Sequence, residues 1–322
     1  MKTNKINILF ILAATLLFSS CEKEIKFKGE ETASRLVVNA IATAGEPLNA
    51  NVGRSVFFLN DNGDSENFHC PDNAYMSLYV NGNLVETLTA DGNQFSSSYV
   101  PSAGDTIRLT ASAPDFDDVE ASTLAIPDAP SFTFNTVVEK LKFSSYIKDD
   151  TVYYWFYATG DVIIDLYDTH PGNRDCYNIR VIESKFYEHQ KITYDDPVFE
   201  NFNEPFLDEI YSSTRPFFTD KIFDGSHYQL TIPFDLYSID TTEYITEAGF
   251  EIVLDHIDRN LYEYYNTLYT ANQDEVGLLS EPVHVHSNVD GGYGIVAGRN
   301  CDTIKVRFEH DERRNSPSTV TK

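Results

Sequence analysis

The chain has 322 residues, with Lys+Arg 24 against Asp+Glu 50 and a formal charge of −26. Hydrophobic residues make up 42% and charged residues 23%, ordinary globular usage that excludes a wholly disordered chain. No apolar run reaches ~18 residues, which excludes a multi-span helical membrane protein. An acidic chain also offers no basic face to phosphate, so no nucleic-acid partner is expected.

The first residues read as an address. Lys2 and Lys5 precede a mostly apolar run of 13 residues, Ile6 to Phe18, followed by Ser19, Ser20 and Cys21. A basic start and a short apolar run form a secretory signal, too short to span a membrane. The small residues ahead of Cys21 resemble the lipobox of bacterial lipoproteins, although Phe18 stands where Leu is usual. That resemblance implies cleavage before Cys21 and attachment of a diacylglycerol to its thiol, whose acyl chains, such as palmitate, hold the protein on the lipid bilayer. Residues 1–20 are thus expected as signal peptide and 21–34 as a tether. Glu22 and Glu24 behind Cys21 resemble the surface-export signal of some Gram-negative lipoproteins, which implies a surface-exposed body.

From Arg35 the pattern is one of strands and turns. Leu36 to Thr43 is β-branched and apolar, and Val56 to Leu59 continues in kind. Tyr75 to Val80, Asn81-Gly82 and Leu84 to Thr89 form a hairpin signal, because both central residues of a type I′ turn need φ > 0. Asp91-Gly92 repeats the device before Phe95 to Val100, Asp105 to Ala111 alternates at period two, and Val119 to Ile126 closes the set. Short strands at this spacing predict an antiparallel sandwich of immunoglobulin or transthyretin type over 35–126.

Ile126-Pro127-Asp128-Ala129-Pro130 is a Pro-rich linker and the expected domain boundary. A second antiparallel β domain is expected over 131–309. Its strands are Phe132 to Val138, Val152 to Tyr157, Val162 to Tyr167, Tyr177 to Ile182, Tyr228 to Phe234, Gly249 to Leu254, Val283 to His286 and Ile304 to Phe308. Leu254, Ile257, Leu261, Tyr265 and Leu268 form a helical stripe, so one helix is expected over 256–272, with Asp255 as N-cap and Asp258 three residues on. The tail 310–322 is polar and is expected to be disordered. Apart from Cys21 there are Cys70, Cys176 and Cys301, which allow one disulfide in three pairings. Cys176 and Cys301 each head a strand-like run in the same half and are the first choice for a bridge in an exported protein.

The stretch from Asn260 to Leu268, with its paired tyrosines, leads to Ser280-Glu-Pro-Val283 and then to Ser287-Asn-Val-Asp-Gly-Gly-Tyr-Gly-Ile-Val-Ala-Gly298. With Phe218 to Gly225 upstream and Leu36-Val37-Val38 near the start, this resembles a family of bacterial lipoproteins known as domain of unknown function 4249. The resemblance implies an outer-membrane location, a gene often beside that of a TonB-dependent transporter, and no established activity or catalytic residues. Read physically, Gly291, Gly292, Gly294 and Gly298 permit a tight turn and a strand passing close to another backbone.

The remaining chemistry is sparse. His284 and His286 share a face of a strand at a spacing that suits a metal, but no third ligand accompanies them. The run Asn60 to Asn67 is rich in oxygen ligands without the terminal Glu of an EF-hand. Ser55 or Ser226 with His227 could be read as a nucleophile pair, but Ser226 and His227 are adjacent on a strand and face opposite ways. Tyr262, Tyr264, Tyr265 and Tyr269 cover more than one helix face and are expected to be half-packed. No catalytic residue, metal or cofactor is expected. The function expected is a non-enzymatic outer-membrane lipoprotein accessory to a TonB-dependent transporter, the alternative being a surface binder of a nutrient glycan or peptide.

Overall fold

The structure is a computed structural model that describes residues 33–56, 69–182, 189–194, 196–199, 216–240, 247–273, 284–311 and 316–321. The expected signal peptide, Cys21, most of the tether and the Asn60 to Asn67 run lie outside those residues. In chain order the strands begin with β1 (Leu36–Thr43), β2 (Asn49–Arg54), β3 (Tyr75–Val80), β4 (Asn83–Thr89), β5 (Gln94–Ser96), β6 (Ile107–Ser112) and β7 (Val119–Ser122). Then come β8 (Ser131–Lys148), β9 (Thr151–Tyr167), β10 (Cys176–Ile182), β11 (His189–Ile192), β12 (Phe217–Thr219), β13 (His227–Asp240) and β14 (Glu247–Ile257). The helix α1 (Arg259–Gln273) precedes β15 (Tyr293–Asp311) and β16 (Ser316–Thr321).

Among the described residues the strands form three sheets. A central sheet has the order β12-β10-β14-β15-β1-β2-β5, with β16 also paired to β15. A second runs β4-β3-β6-β7 and a third β11-β13-β9-β8. Alternation explains how the central sheet is covered. Val38 and Ala40 of β1, Val52 of β2 and Phe95 of β5 join Met76, Leu78 and Leu109 of the β4-β3-β6-β7 sheet in a first core. Further along the sheet, Ile252 and Leu254 of β14 and Ile304, Val306 and Phe308 of β15 join Phe156, Ile164 and Ile232 of the third sheet in a second core. The long β15 therefore serves both, with Val296 in the first and Phe308 in the second. On the opposite face Cys176, Ile257, Ile295 and Ala297 pack under Leu261 of α1. Each such fully buried Leu, Ile or Phe contributes about 1.5–3 kcal/mol.

Among the described residues the architecture is mainly β with one α-helix, as the sequence predicts, and the first core lies between two sheets. The halves are not wholly antiparallel, however. β1 and β15 pair in parallel, from Val37 opposite Tyr293 to Thr43 opposite Arg299, so one sheet carries strands from both sides of the 126–130 linker. A parallel pair needs a long crossover, and nearly the whole chain serves as that connection.

Several local expectations are corrected. The helix begins at Arg259, because residues up to Ile257 belong to β14. Asp258, not Asp255, caps it: its Oδ1 accepts the Leu261 N–H at 2.9 Å. Ser316–Thr321, expected as disordered tail, pairs with β15 from Val306 opposite Thr321 to Asp311 opposite Ser316. The expected strands at 132–138, 152–157 and 162–167 are parts of one long hairpin, β8 and β9, which turns at Asp149 (φ 48) and Asp150 (φ 60). The expected Asn81-Gly82 turn has both φ values positive, 50 and 83, as type I′ requires.

Candidate functional site

The Ser287 to Gly298 segment is a structural joint. Asn288 donates from Nδ2 to the carbonyls of Ser122 (3.0 Å) and Val296 (2.8 Å), and its Oδ1 accepts the Val296 N–H (2.9 Å). Gly294 has φ +116, and a Cβ there would sit 2.1 Å from the Val38 carbonyl oxygen, so only glycine lets β15 lie this close to β1. The Asp258 carboxylate extends the joint. Beyond its cap bond, Oδ2 accepts the N–H groups of Gly298 (2.7 Å) and Leu124 (3.2 Å). Burial pushes this carboxyl above the usual carboxylate range, against the pull of those donors.

Under α1, the buried Asp255 carboxylate accepts from Arg180 Nε at 2.7 Å, from the Arg180 Nη2 at 2.8 Å and from Asn178 Nδ2 at 3.0 Å. The helix tyrosines close the same face. Phe217 of β12 meets Tyr262, Tyr265 and Tyr269 with ring centroids 5.7, 6.0 and 6.4 Å apart, and all four helix tyrosines are half-buried.

A polar junction lies where the 123–130 linker meets β14 and the β9–β10 loop. His256 Nδ1 is 2.9 Å from the Asp128 carbonyl oxygen, to which it donates, and Nε2 faces Asp175 at 3.7 Å. His170 reaches the other Asp175 oxygen from Nδ1 at 3.2 Å, and Asp128 Oδ2 from Nε2 at 3.4 Å. Burial raises the Asp175 carboxyl, but the two imidazoles outweigh it and hold it below the ordinary value. Next to it, Asp168, Asp220 and Asp224 bring carboxylate oxygens within 4.8 Å of one another. Each already binds loop backbone: Asp168 accepts the His170 N–H (2.8 Å), Asp220 that of Asp175 (3.1 Å) and Asp224 that of Gly172 (2.7 Å). Burial, followed by repulsion from Asp175, Asp168 and Asp224, pushes the Asp220 carboxyl up despite its backbone bond. Such oxygens are the ligand type of a hard cation, but three carboxylates fall short of the about 6–8 oxygens calcium takes.

The residues singled out by sequence do not converge. Cys70, Cys176 and Cys301 are free thiols. The expected Cys176–Cys301 bridge is not formed, because β14 lies between β10 and β15. Two strand spacings are about 10 Å, whereas a disulfide needs Cα atoms within ~7 Å. Residues 284–289 form no ladder, so His284 and His286 do not share a strand face; the His286 N–H instead bonds Thr267 Oγ1 of α1 at 2.7 Å. Ser226 caps a turn to the Phe223 carbonyl (2.8 Å) while His227 packs its ring on Tyr167 at 5.9 Å, and Ser55 bridges the ends of β1 and β2 through Arg35.

Sequence reading passed over the outer face of the third sheet. Even-numbered residues of β9 from Phe156 to Leu166 fill the second core, which turns Tyr153, Trp155 and Tyr157 outward. Tyr146 of β8 stands opposite Tyr153, and their rings stack 5.0 Å apart at 7°. Tyr237 of β13 stands opposite Tyr157, and Lys142 places its Nζ 5.0 Å from the centroid of Trp155. No alternation marks this face in the sequence, because every residue from Tyr153 to Tyr157 is aromatic and the two faces of the strand read alike.

These features define a mainly β protein of two cores that share one sheet, braced by the one α-helix among the described residues and presenting an aromatic sheet face. A family model described as Domain of unknown function (DUF4249) matches residues 22–305, and the chain belongs to that family. No curated protein and no solved structure matches it.

Proposed function

We propose that this chain is a non-enzymatic lipoprotein, anchored in the outer membrane through acylated Cys21, that serves as an accessory to a TonB-dependent transporter. The lipobox-like Ser19-Ser20-Cys21 behind an apolar run supports the anchor. The observation that carries a docking role over a catalytic one is the division among side chains. The buried carboxylates of Asp255 and Asp258 are engaged with Arg180 and with backbone N–H groups, while the aromatic groups around Trp155 are turned away from the core. The rings offer a large contact area at small conformational cost, as protein interfaces use them. The second reading, a surface nutrient binder, rests on the same face, whose mixture of rings and lysines also suits a soluble ligand.

The test is capture of the natively produced protein from membranes in mild detergent, followed by mass spectrometry of partners and of the intact chain. The proposal expects a TonB-dependent transporter in the eluate and an acylated, cleaved N-terminus at Cys21. Recovery of the chain alone sinks the transporter role; an unmodified Cys21 sulfur sinks the anchor.

A further inference from the structure

The contacts of the polar junction close a circuit that begins and ends on Asp128 of the linker. The Asp128 carbonyl oxygen accepts from His256 Nδ1 at 2.9 Å, and His256 Nε2 faces Asp175 Oδ1 at 3.7 Å. The other Asp175 oxygen lies 3.2 Å from His170 Nδ1, and His170 Nε2 lies 3.4 Å from the Asp128 carboxylate. Three elements are joined in this way: the linker, β14 and the β9–β10 loop. That loop is itself bound to residues 220–226, because Asp220 accepts the Asp175 N–H, Asp224 that of Gly172 and Asp168 that of Gly225. His170 is the ring through which this unit grips the Asp128 side chain.

All four ring nitrogens of the circuit face an oxygen. A neutral imidazole carries one N–H and a lone pair on its other nitrogen. With both rings neutral, two of the four contacts therefore set a lone pair against an oxygen. An imidazolium donates from both nitrogens, so two added protons complete the circuit. His170 shows this most directly, since it has a carboxylate at each nitrogen, with Thr169 Oγ1 also 3.2 Å from Nδ1.

Charge points the same way. Asp128, Asp168, Asp175, Asp220 and Asp224 gather around the two rings, and among the described residues none of the five is ion-paired with a lysine or arginine. The imidazoles are thus the groups able to bring positive charge here. They hold the Asp175 carboxyl below its ordinary value, so it stays ionised where histidine changes charge, between pH 5 and 8. Tyr177 of β10 stacks on His256 at 5.0 Å, and burial raises its hydroxyl out of that range.

We propose that this circuit is a proton-operated latch: with both rings protonated it clamps the linker to β14 and the β9–β10 loop, and with the added protons gone the Asp128 side chain is released and the linker loosens. The latch involves neither a transporter nor a ligand, so it stands or falls apart from the proposed function.

The experiment follows hydrogen exchange of peptides covering 124–130 in the full chain, for wild type, His170→Gln, Asp128→Asn and the double variant, at pH 5.5 and pH 8. Comparison at one pH removes the pH dependence of exchange itself and of other groups, Asp220 included. The His170 and Asp128 side chains are 34% and 68% exposed, and a partly exposed ion pair contributes modestly. At pH 5.5 each single variant should therefore exchange at least about twofold faster than wild type, and the double variant no faster than the singles. At pH 8 all four chains should exchange alike. Should His170→Gln fail to fold, Asp128→Asn, which alters one exposed carboxylate, carries the same comparison. Equal exchange at pH 5.5, the same difference at both pH values, or additive effects in the double variant would each overturn the latch.

Discussion

Arg180 grips Asp255 with two parallel hydrogen bonds, 2.7 and 2.8 Å long, beneath the helix and across the boundary between β10 and β14. The Asp255 side chain is 0% exposed and that of Arg180 37%. Removing one member strands a buried charge, which costs far more than the pair itself contributes. Arg180→Ala should therefore destabilise the fold by about 3 kcal/mol, seen as a lower midpoint in urea. Arg180→Met with Asp255→Leu should cost clearly less than the sum of the two single changes. If the costs simply add, the pair is not coupled and this reading of the helix underside is wrong.

How much of this was legible beforehand depends on how many faces an element buries. β1 buries Leu36, Val38, Ala40 and Ala42 on one face and could be read directly. Asn81-Gly82 could be read because only a few residue types accept its backbone. β14 was read as a strand over Gly249 to Leu254, but its end was not, because Val253 and Leu254 are both buried, one on each face of a sheet covered on both sides. Its apolar run then blends with the stripe of the following helix, which is why Asp255 looked like the cap and Asp258 is the cap. β2 was missed for the opposite reason: its core contribution is only Ala50 and Val52 between polar residues. The polar junction of His170, Asp175 and His256 is assembled from separate elements, and nothing local announces it. The parallel pairing of β1 with β15 is a contact between the two ends of the described chain, beyond the reach of any local pattern.

Asp258 joins the helix, the linker and β15 through Leu261, Leu124 and Gly298. Asp258→Ala removes the cap and leaves the Gly298 and Leu124 N–H groups without this acceptor, so a loss of about 2 kcal/mol is expected. The pH dependence has a defined sign. Because burial raises this carboxyl in the folded state, the folded chain holds the proton more tightly than the unfolded one. Between the unfolded value near 3.9 and the raised folded value, this group's contribution to stability falls as pH rises. Melting curves over that range should show the slope in the wild type. It should be missing in Asp258→Asn, which cannot ionise there.

Two glycines separate backbone conformation from crowding. Gly45 has φ +81 and open space where a Cβ would go, so Gly45→Ala should cost only about 1 kcal/mol. Gly294 has φ +116 with the Val38 carbonyl oxygen 2.1 Å from the position a Cβ would take. Gly294→Ala must push β15 off β1 and disturb the sheet that serves both cores, at a cost above about 3 kcal/mol. Chemical unfolding of the two variants side by side decides the matter. Equal losses would mean that β1 and β15 do not meet as described.

Cys176 is buried, and burial is the main reason its thiol is pushed up to about 12; Arg259 pulls the other way, and Asp220, Asp175 and Glu263 push further up. Alkylation needs the thiolate, so at pH 8 Cys176 should resist iodoacetamide in the folded chain and react fully once denaturant opens the core. Cys301 is also raised by burial but is half-exposed, and should label slowly under native conditions. Burial of Cys176 under α1 and the intervening β14 act together here: one denies the thiol its anion, the other keeps Cys301 out of reach. Non-reducing peptide mapping should accordingly find Cys176 and Cys301 in separate peptides. A linked pair would require β10 to lie beside β15, which is incompatible with β14 pairing with both strands.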